Sequence, residues 1–325
     1  MIRLIALCLI LITGNIFAGG RTQTPPRSEA PLPESPHLEQ PRHQNEAIAS
    51  PPAEQPRPDR AEQVMKALAA AYPRRIERAE YRNGDWAVLL EDKWFYYASG
   101  RLMPEELLYM TLDYNPQTFY NYISELPAWS EPSPEQAARF SEMINNRTNN
   151  PPRRSQHFFD TLWRAHSHDE SYRRVKSIRF LGHPVMVHYS ILEDLSLVEE
   201  HILEAAESDP QVKSWINSIN TIDGWSWRSI ADTQSRSFHA YGAAIDILPK
   251  SLGGRQTYWL WAARSRPEWW NISYNERFHP PDAVIRAFES FGFVWGGKWL
   301  MFDTMHFEYR PEILILSGMA PAAIR

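Results

Sequence analysis

The sequence lacks the residues needed for disulfides and the long apolar runs needed for a membrane-embedded fold. Its 325 residues include one cysteine, Cys8, so an intrachain disulfide and a cysteine-rich metal site are excluded. No apolar run reaches the ~20 residues of a comfortable membrane span. Charge of one sign is not in large excess, because the net charge is −5. Nucleic-acid-binding domains usually show a strong basic excess, so we expect no nucleic-acid partner.

The N-terminal end has the pattern of an export signal. A short positive start with Arg3 precedes an apolar run over 4–17, and Ala18 stands before two glycines. We predict a signal peptide over residues 1–18 and a periplasmic or secreted protein. An uncleaved N-terminal anchor is the alternative, and either segment would be the chain's contact with a membrane. Removal of residues 1–18 leaves no cysteine, so a metal site would then need histidine and carboxylate ligands.

The rest of the chain divides by composition into three segments. Residues 19–60 contain ten of the 26 prolines, among Gln, Glu, Ser and Arg, which predicts a disordered, solvated linker. Residues 61–175 combine helical patterns with a β-hairpin pattern at Asn83-Gly84, and we predict an accessory α+β domain. Residues 176–325 carry the motifs that indicate chemistry. We predict an α+β fold for this domain, with a small antiparallel sheet and helices packed on one side.

Several stretches have the apolar spacing of helices. Residues 61–73 and 190–208 have this spacing, and Ser190 is a suitable N-cap for the second of them. Residues 104–123 and 133–146 also have it, separated by prolines. We therefore expect helices over all four ranges.

Two segments near the C-terminal end carry a constellation of histidines and carboxylates. The first contains Ser237-x-His239-x-x-Gly242-x-Ala244-x-Asp246, and the second contains Asp303-x-x-His306-x-Glu308. Residues 243–248 are apolar except for Asp246, and a buried carboxylate costs several kcal/mol unless it is paired or bound to a cation. Two imidazoles and one carboxylate from neighbouring strands would form a three-ligand set. Zinc held by three protein ligands keeps a fourth position for water, for which Asp303 is suitably placed as the base.

A structural role for Asp246 is the alternative to metal binding. A single buried histidine or aspartate is more often a paired core residue. Arg228, Arg236 and Arg255 are all available to form a salt bridge with Asp246. The sequence has no His-Glu-x-x-His helix and no Gly-x-Ser-x-Gly elbow, so the common zincin and serine hydrolase arrangements are absent.

The segment from about residue 180 to residue 318 resembles peptidase family M15, and especially its subfamily C. This family contains zinc D-Ala-D-Ala carboxypeptidases and L-Ala-D-Glu endopeptidases, including VanY-like carboxypeptidases and phage endolysin peptidases. Its signature, SxHxxGxAxD followed by a carboxylate-x-x-His, is present in the two segments above. The stretch AFESFGFVWGGKW at 287–299, which leads into DTMHFE, is similar to the corresponding part of subfamily C.

The resemblance implies a Hedgehog/DD-peptidase-like zinc fold and a Zn²⁺ cofactor. It implies zinc ligation by His239, Asp246 and His306, a catalytic base at Asp303, and substrate binding by Arg228 and Ser237. Arg236 is a rival to Arg228 for binding a substrate carboxylate. The implied partners are peptidoglycan stem peptides, cut by a D,D-carboxypeptidase or an L,D-type endopeptidase. A non-catalytic zinc-containing module that binds the cell wall on the same fold is the alternative.

Overall fold

A computed structural model describes residues 59–319 and 321 of the chain. The predicted signal peptide, and the predicted linker up to residue 58, lie outside the described residues. Within the described part, no helix combines the length and apolar character that crossing a membrane requires. All of the described residues belong to one compact unit.

The helices follow the predicted apolar spacing in most places. In chain order they are α1 (Arg60–Ala71), α2 (Pro134–Asn149), α3 (His157–Leu162), α4 (His168–Arg174), α5 (Leu192–Ser208), α6 (Pro210–Ser218), α7 (Trp259–Ala263), α8 (Asp282–Ser290) and α9 (Pro311–Leu316). The predictions over 61–73, 133–146 and 190–208 correspond to α1, α2 and α5. The helix predicted over 104–123 is wrong, because only a 3₁₀ helix forms there, over Glu105–Asp113. That segment buries none of its residues, and Pro116 follows closely, so neither packing nor sequence supports a continued α-helix.

The strands form small antiparallel sheets. They are β1 (Ile76–Arg82), β2 (Asp85–Leu90), β3 (Lys93–Tyr96), β4 (Met103–Pro104), β5 (Val175–Phe180), β6 (His183–His188), β7 (Ile219–Asp223), β8 (Ala244–Pro249), β9 (Phe293–Trp295) and β10 (His306–Tyr309). One sheet has the order β1-β2-β3-β4, another has the order β7-β8-β10-β9, and β5 pairs with β6. Small antiparallel sheets together with helices confirm the α+β class.

The sheet β7-β8-β10-β9 brings the two predicted motif segments side by side. Strands β8 and β10 are antiparallel neighbours, although more than fifty positions separate them in the sequence. Their register pairs His306 with Asp246. Helix α8 covers the apolar face of the sheet, where Phe288 stacks on Phe307 with ring centroids 3.9 Å apart. This packing fixes the register that places the two polar side chains opposite each other.

Apolar residues from both predicted domains share the main core. Val64 and Leu68 of α1 belong to the same buried cluster as Ile245 of β8 and Phe307 of β10. A second cluster, rich in tryptophan, contains Trp259, Trp269, Trp270 and Phe302, and side chains of α2 pack against it. The predicted division of the chain at residue 175 therefore stays a prediction.

Candidate metal centre

His239 lies in a 3₁₀ turn, Phe238–Tyr241, whose ends explain two of the motif residues. The Ser237 hydroxyl accepts a hydrogen bond from the backbone N–H of His239 at 3.3 Å and so caps the turn. Gly242 ends the turn with φ +71°, and a Cβ atom there would lie 2.7 Å from the backbone nitrogen of His188. Glycine is therefore required by both conformation and space.

A backbone carbonyl fixes the orientation of the His239 ring. The Nδ1 atom lies 2.6 Å from the carbonyl oxygen of Gly224. Since a carbonyl only accepts, Nδ1 carries the proton and donates it. In the neutral ring, the lone pair of Nε2 would then face Asp246 and His306. This is the arrangement in which a neutral histidine binds a metal ion.

The side chains of His239, Asp246 and His306 converge on one point. Asp246 Oδ1 lies 2.8 Å from His306 Nδ1, and Asp246 Oδ2 lies 3.2 Å from His239 Nε2. His239 Nε2 and His306 Nδ1 are 3.2 Å apart. One potential ligand atom from each residue lies within 4.8 Å of the other two. The three side chains are 2%, 14% and 9% exposed, so the group is nearly buried.

The charges in this group favour a cation at its centre. Burial disfavours the charged form of His306, but hydrogen bonds to Asp246 and Glu308 outweigh it and raise the pKa of His306 to about 10. Burial alone would raise the pKa of Asp246, but His239 and His306 hold it well below its usual range. The group thus stabilises positive charge strongly. Two imidazoles and a carboxylate are also a zinc donor set, so the residues fit the predicted ion.

Glu308 supports His306 from the side opposite to the donor atoms. Its Oε2 lies 3.1 Å from His306 Nε2. Its Oε1 accepts a hydrogen bond from Arg310 at 3.1 Å, and Arg310 also pairs with the buried Glu312. A carboxylate on the second nitrogen orients a metal-binding histidine and raises its basicity. No role was predicted for Glu308, although its position two residues after His306 places both side chains on the same face of a strand.

Asp303 lies next to the group, in the turn before β10. Its backbone pairs with Tyr258 in an isolated bridge, and its N–H donates to Gly296 O at 3.0 Å. Its Oδ1 is buried and has no hydrogen-bond partner within the described residues. Burial, with a smaller contribution from the negative charge of Asp246, raises the pKa of Asp303 to about 7, although His306 and Arg228 oppose the shift. A buried carboxylate with a free oxygen is therefore available beside the three donors.

The two arginines considered for substrate binding differ in their contacts. Arg236 donates to Asp160 Oδ1 at 2.7 Å and to a backbone oxygen, and its guanidinium lies 4.1 Å from the centroid of the Trp227 ring. Arg228 is exposed, its side chain makes no hydrogen bond or ion pair with a described residue, and its charge acts to lower the pKa of Asp303. Asp246 contacts the imidazoles of His239 and His306, and it forms no salt bridge with an arginine among the described residues.

Comparisons with known proteins single out the segment that carries this group. Residues 231–309 match a family model described as D-alanyl-D-alanine carboxypeptidase. The match confirms the resemblance to peptidase family M15 over this segment, which includes the three donors and Asp303 but not Arg228. Residues 64–119 match a family model described only as a domain of unknown function. No curated protein and no solved structure matches the chain.

Proposed function

We propose that the protein is an exported zinc-dependent peptidase that hydrolyses amide bonds in peptidoglycan stem peptides. One observation carries the proposal: two imidazoles and a carboxylate converge beside a second, buried carboxylate, within the segment that matches the carboxypeptidase family. The match supports a cell-wall peptidase. A D,D-carboxypeptidase is the form that the description of the matching family favours, and an L,D-type endopeptidase is the other.

The ion would be held by Nε2 of His239, a carboxylate oxygen of Asp246 and Nδ1 of His306. When bound, zinc supplies Lewis acidity, which lowers the pKa of water and polarises a carbonyl group. The Gly224 carbonyl and Glu308 would keep the two rings in their binding orientation. Three protein ligands leave room for water and substrate, as in catalytic rather than structural zinc sites.

Asp303 would serve as the general base. Its carboxylate would accept a proton from the attacking water and return it to the leaving amine nitrogen. Without a bound cation the pKa of Asp303 is about 7. A divalent cation beside it would lower that pKa, because positive charge favours the ionised form. The carboxylate would then be ionised at neutral pH and ready to accept a proton.

Arg228 and Ser237 are the proposed substrate-binding residues. An exposed guanidinium can form two parallel hydrogen bonds with a carboxylate, and the stem peptide of a carboxypeptidase substrate ends in one. The Ser237 hydroxyl already caps the turn that carries His239. Its oxygen would therefore act on substrate only in addition to this structural contact.

Hydrolysis of a synthetic stem peptide that ends in D-Ala-D-Ala tests the proposal. We expect the zinc-loaded protein to release fragments, and Asp303→Asn to keep its zinc but lose at least about 100-fold in rate, as for a general base. His239→Ala should lose both zinc and activity, whereas Asp282→Asn, an exposed aspartate on α8, should behave as wild type. The mass of the fragments separates loss of a terminal alanine from an internal cut.

Two outcomes would overturn the proposal. Full activity in Asp303→Asn would show that Asp303 is not the general base. Binding to purified peptidoglycan without any released fragment would favour the non-catalytic cell-wall module instead.

A further inference from the structure

The loop that follows Arg228 leads directly into the turn that carries His239. We call residues 228–237 the arginine loop. Ser229 and Arg236 pair as an antiparallel bridge, and the Ile230 N–H donates to Ser235 O at 2.9 Å. The loop therefore folds back on itself like a short hairpin. Its conformation fixes the backbone from which the Arg228 side chain extends.

A segment from the predicted accessory domain holds the tip of this loop. We call residues 147–156 the clamp segment. At its start, Nη2 of Arg147 donates a hydrogen bond to the carbonyl oxygen of Ala231 at 2.7 Å. The donor is a charged guanidinium and the contact is partly buried, so this bond is stronger than one between neutral groups.

The same segment holds the returning side of the loop. The Ser235 hydroxyl donates to Pro152 O at 3.1 Å and accepts from the Arg154 N–H at 3.1 Å. The Gln234 N–H also donates to Pro152 O, at 3.1 Å. Ser235 is 4% exposed, so these bonds are protected from water. Both sides of the arginine loop are therefore attached to the clamp segment.

The clamp segment is itself held in place by the packing of α2 and by hydrogen bonds to Asn115. Helix α2, whose last three residues are the first three of the clamp segment, packs Phe140 and Ile144 against the tryptophan-rich cluster. Arg153 exchanges two hydrogen bonds with Asn115, one through its N–H at 2.8 Å and one through its carbonyl at 2.7 Å. The loop contacts are thus made by a segment whose own position is fixed by packing and by hydrogen bonds.

We propose that the clamp segment positions Arg228 for a substrate carboxylate, which makes part of residues 61–175 a specificity element of the peptidase. This inference rests on the proposed function, and in particular on Arg228 as a carboxylate-binding residue. Arg147 and Ser235 are positioning residues that act through the loop. The exposed Arg228 side chain forms no hydrogen bond or ion pair with a described residue, so its position depends on the loop backbone from which it extends. Small displacements of a binding group can cost as much as about 100-fold in rate.

Kinetics of Arg147→Gln, Arg228→Gln and the double variant on the same stem peptide test this inference. We expect Arg147→Gln to raise KM about tenfold with little change in kcat, because one charge-assisted hydrogen bond is lost. The double variant should be no worse than Arg228→Gln alone, since Arg147 acts only through Arg228. Arg147→Lys, which keeps a charged donor, should restore part of the affinity.

Matched controls distinguish positioning from charge and from folding. Arg139→Gln removes a positive charge from an exposed site on the same helix and should leave KM unchanged. Ser235→Ala breaks the second set of clamp bonds and should also raise KM, which covers the case that Arg147→Gln does not fold. Additive effects in the double variant, or a loss confined to kcat, would overturn the inference. A wild-type protein that cuts no stem peptide would overturn the proposed function instead.

Discussion

Removing the carboxylate behind His306 should weaken zinc binding without removing a ligand. Glu308 Oε2 lies 3.1 Å from His306 Nε2, and the Glu308 side chain is 13% exposed. Loss of such a supporting carboxylate typically costs 10–100-fold in metal affinity, or about 1.4–2.7 kcal/mol. Glu308→Gln keeps an oxygen that can accept from Nε2, so we expect about a tenfold loss. Glu308→Ala removes the acceptor, so we expect a loss near 100-fold.

Competition with a chromophoric chelator at fixed pH measures these affinities. Glu276→Gln, at an exposed glutamate paired with Arg266, is the matched control and should bind zinc as wild type does. Circular dichroism of each variant checks that the fold is retained. Equal zinc affinity in wild type and Glu308→Ala would refute the reasoning, because His306 would then not bind the ion in the orientation that Glu308 supports.

Three further predictions concern the structure around the site. Gly242→Ala should lower the free energy of unfolding by more than about 2 kcal/mol in urea titration, because φ is +71° and the new Cβ would lie 2.7 Å from a backbone nitrogen; an unchanged midpoint would contradict this. Arg310→Met should cost about 3–5 kcal/mol, since the fully buried Glu312 would lose its cation, and a loss below about 1 kcal/mol would count against that. Burial lowers the pKa of His188 from 6.5 to about 4. Between these two pH values the unfolded chain binds a proton at this histidine and the folded chain does not. The free energy of unfolding therefore falls by up to about 3 kcal/mol as the pH drops from about 6.5 to about 4. His188→Gln should flatten that part of the pH profile, and an equally steep profile in the variant would be the contrary result.

The convergence of His239, Asp246 and His306 was predictable because these residues belong to short local patterns. Apolar residues on both sides of Asp246 and of His306 indicated two strands, and these strands are neighbours in the structure. A buried carboxylate needs a partner or a cation, and the histidines of the two motif segments are suitable in type. The glycine requirement at Gly242 also follows from the local turn.

Contacts between distant segments were not predictable in the same way. Nothing in the sequence near Arg147 indicates that its side chain reaches Ala231, because that contact depends on how α2 packs on the tryptophan-rich cluster. The prediction of a helix over 104–123 was wrong for a related reason. Its apolar spacing was present, but no neighbouring element buries the side chains of Glu105–Asp113.

Anomalous diffraction from zinc-loaded crystals, recorded on both sides of the zinc absorption edge, tests the central claim most directly. We predict one strong peak between His239 Nε2, the Asp246 carboxylate and His306 Nδ1, at about 2.0–2.2 Å from each ligand atom. A peak coordinated by other residues, or no peak at these three side chains under saturating zinc, would contradict the account.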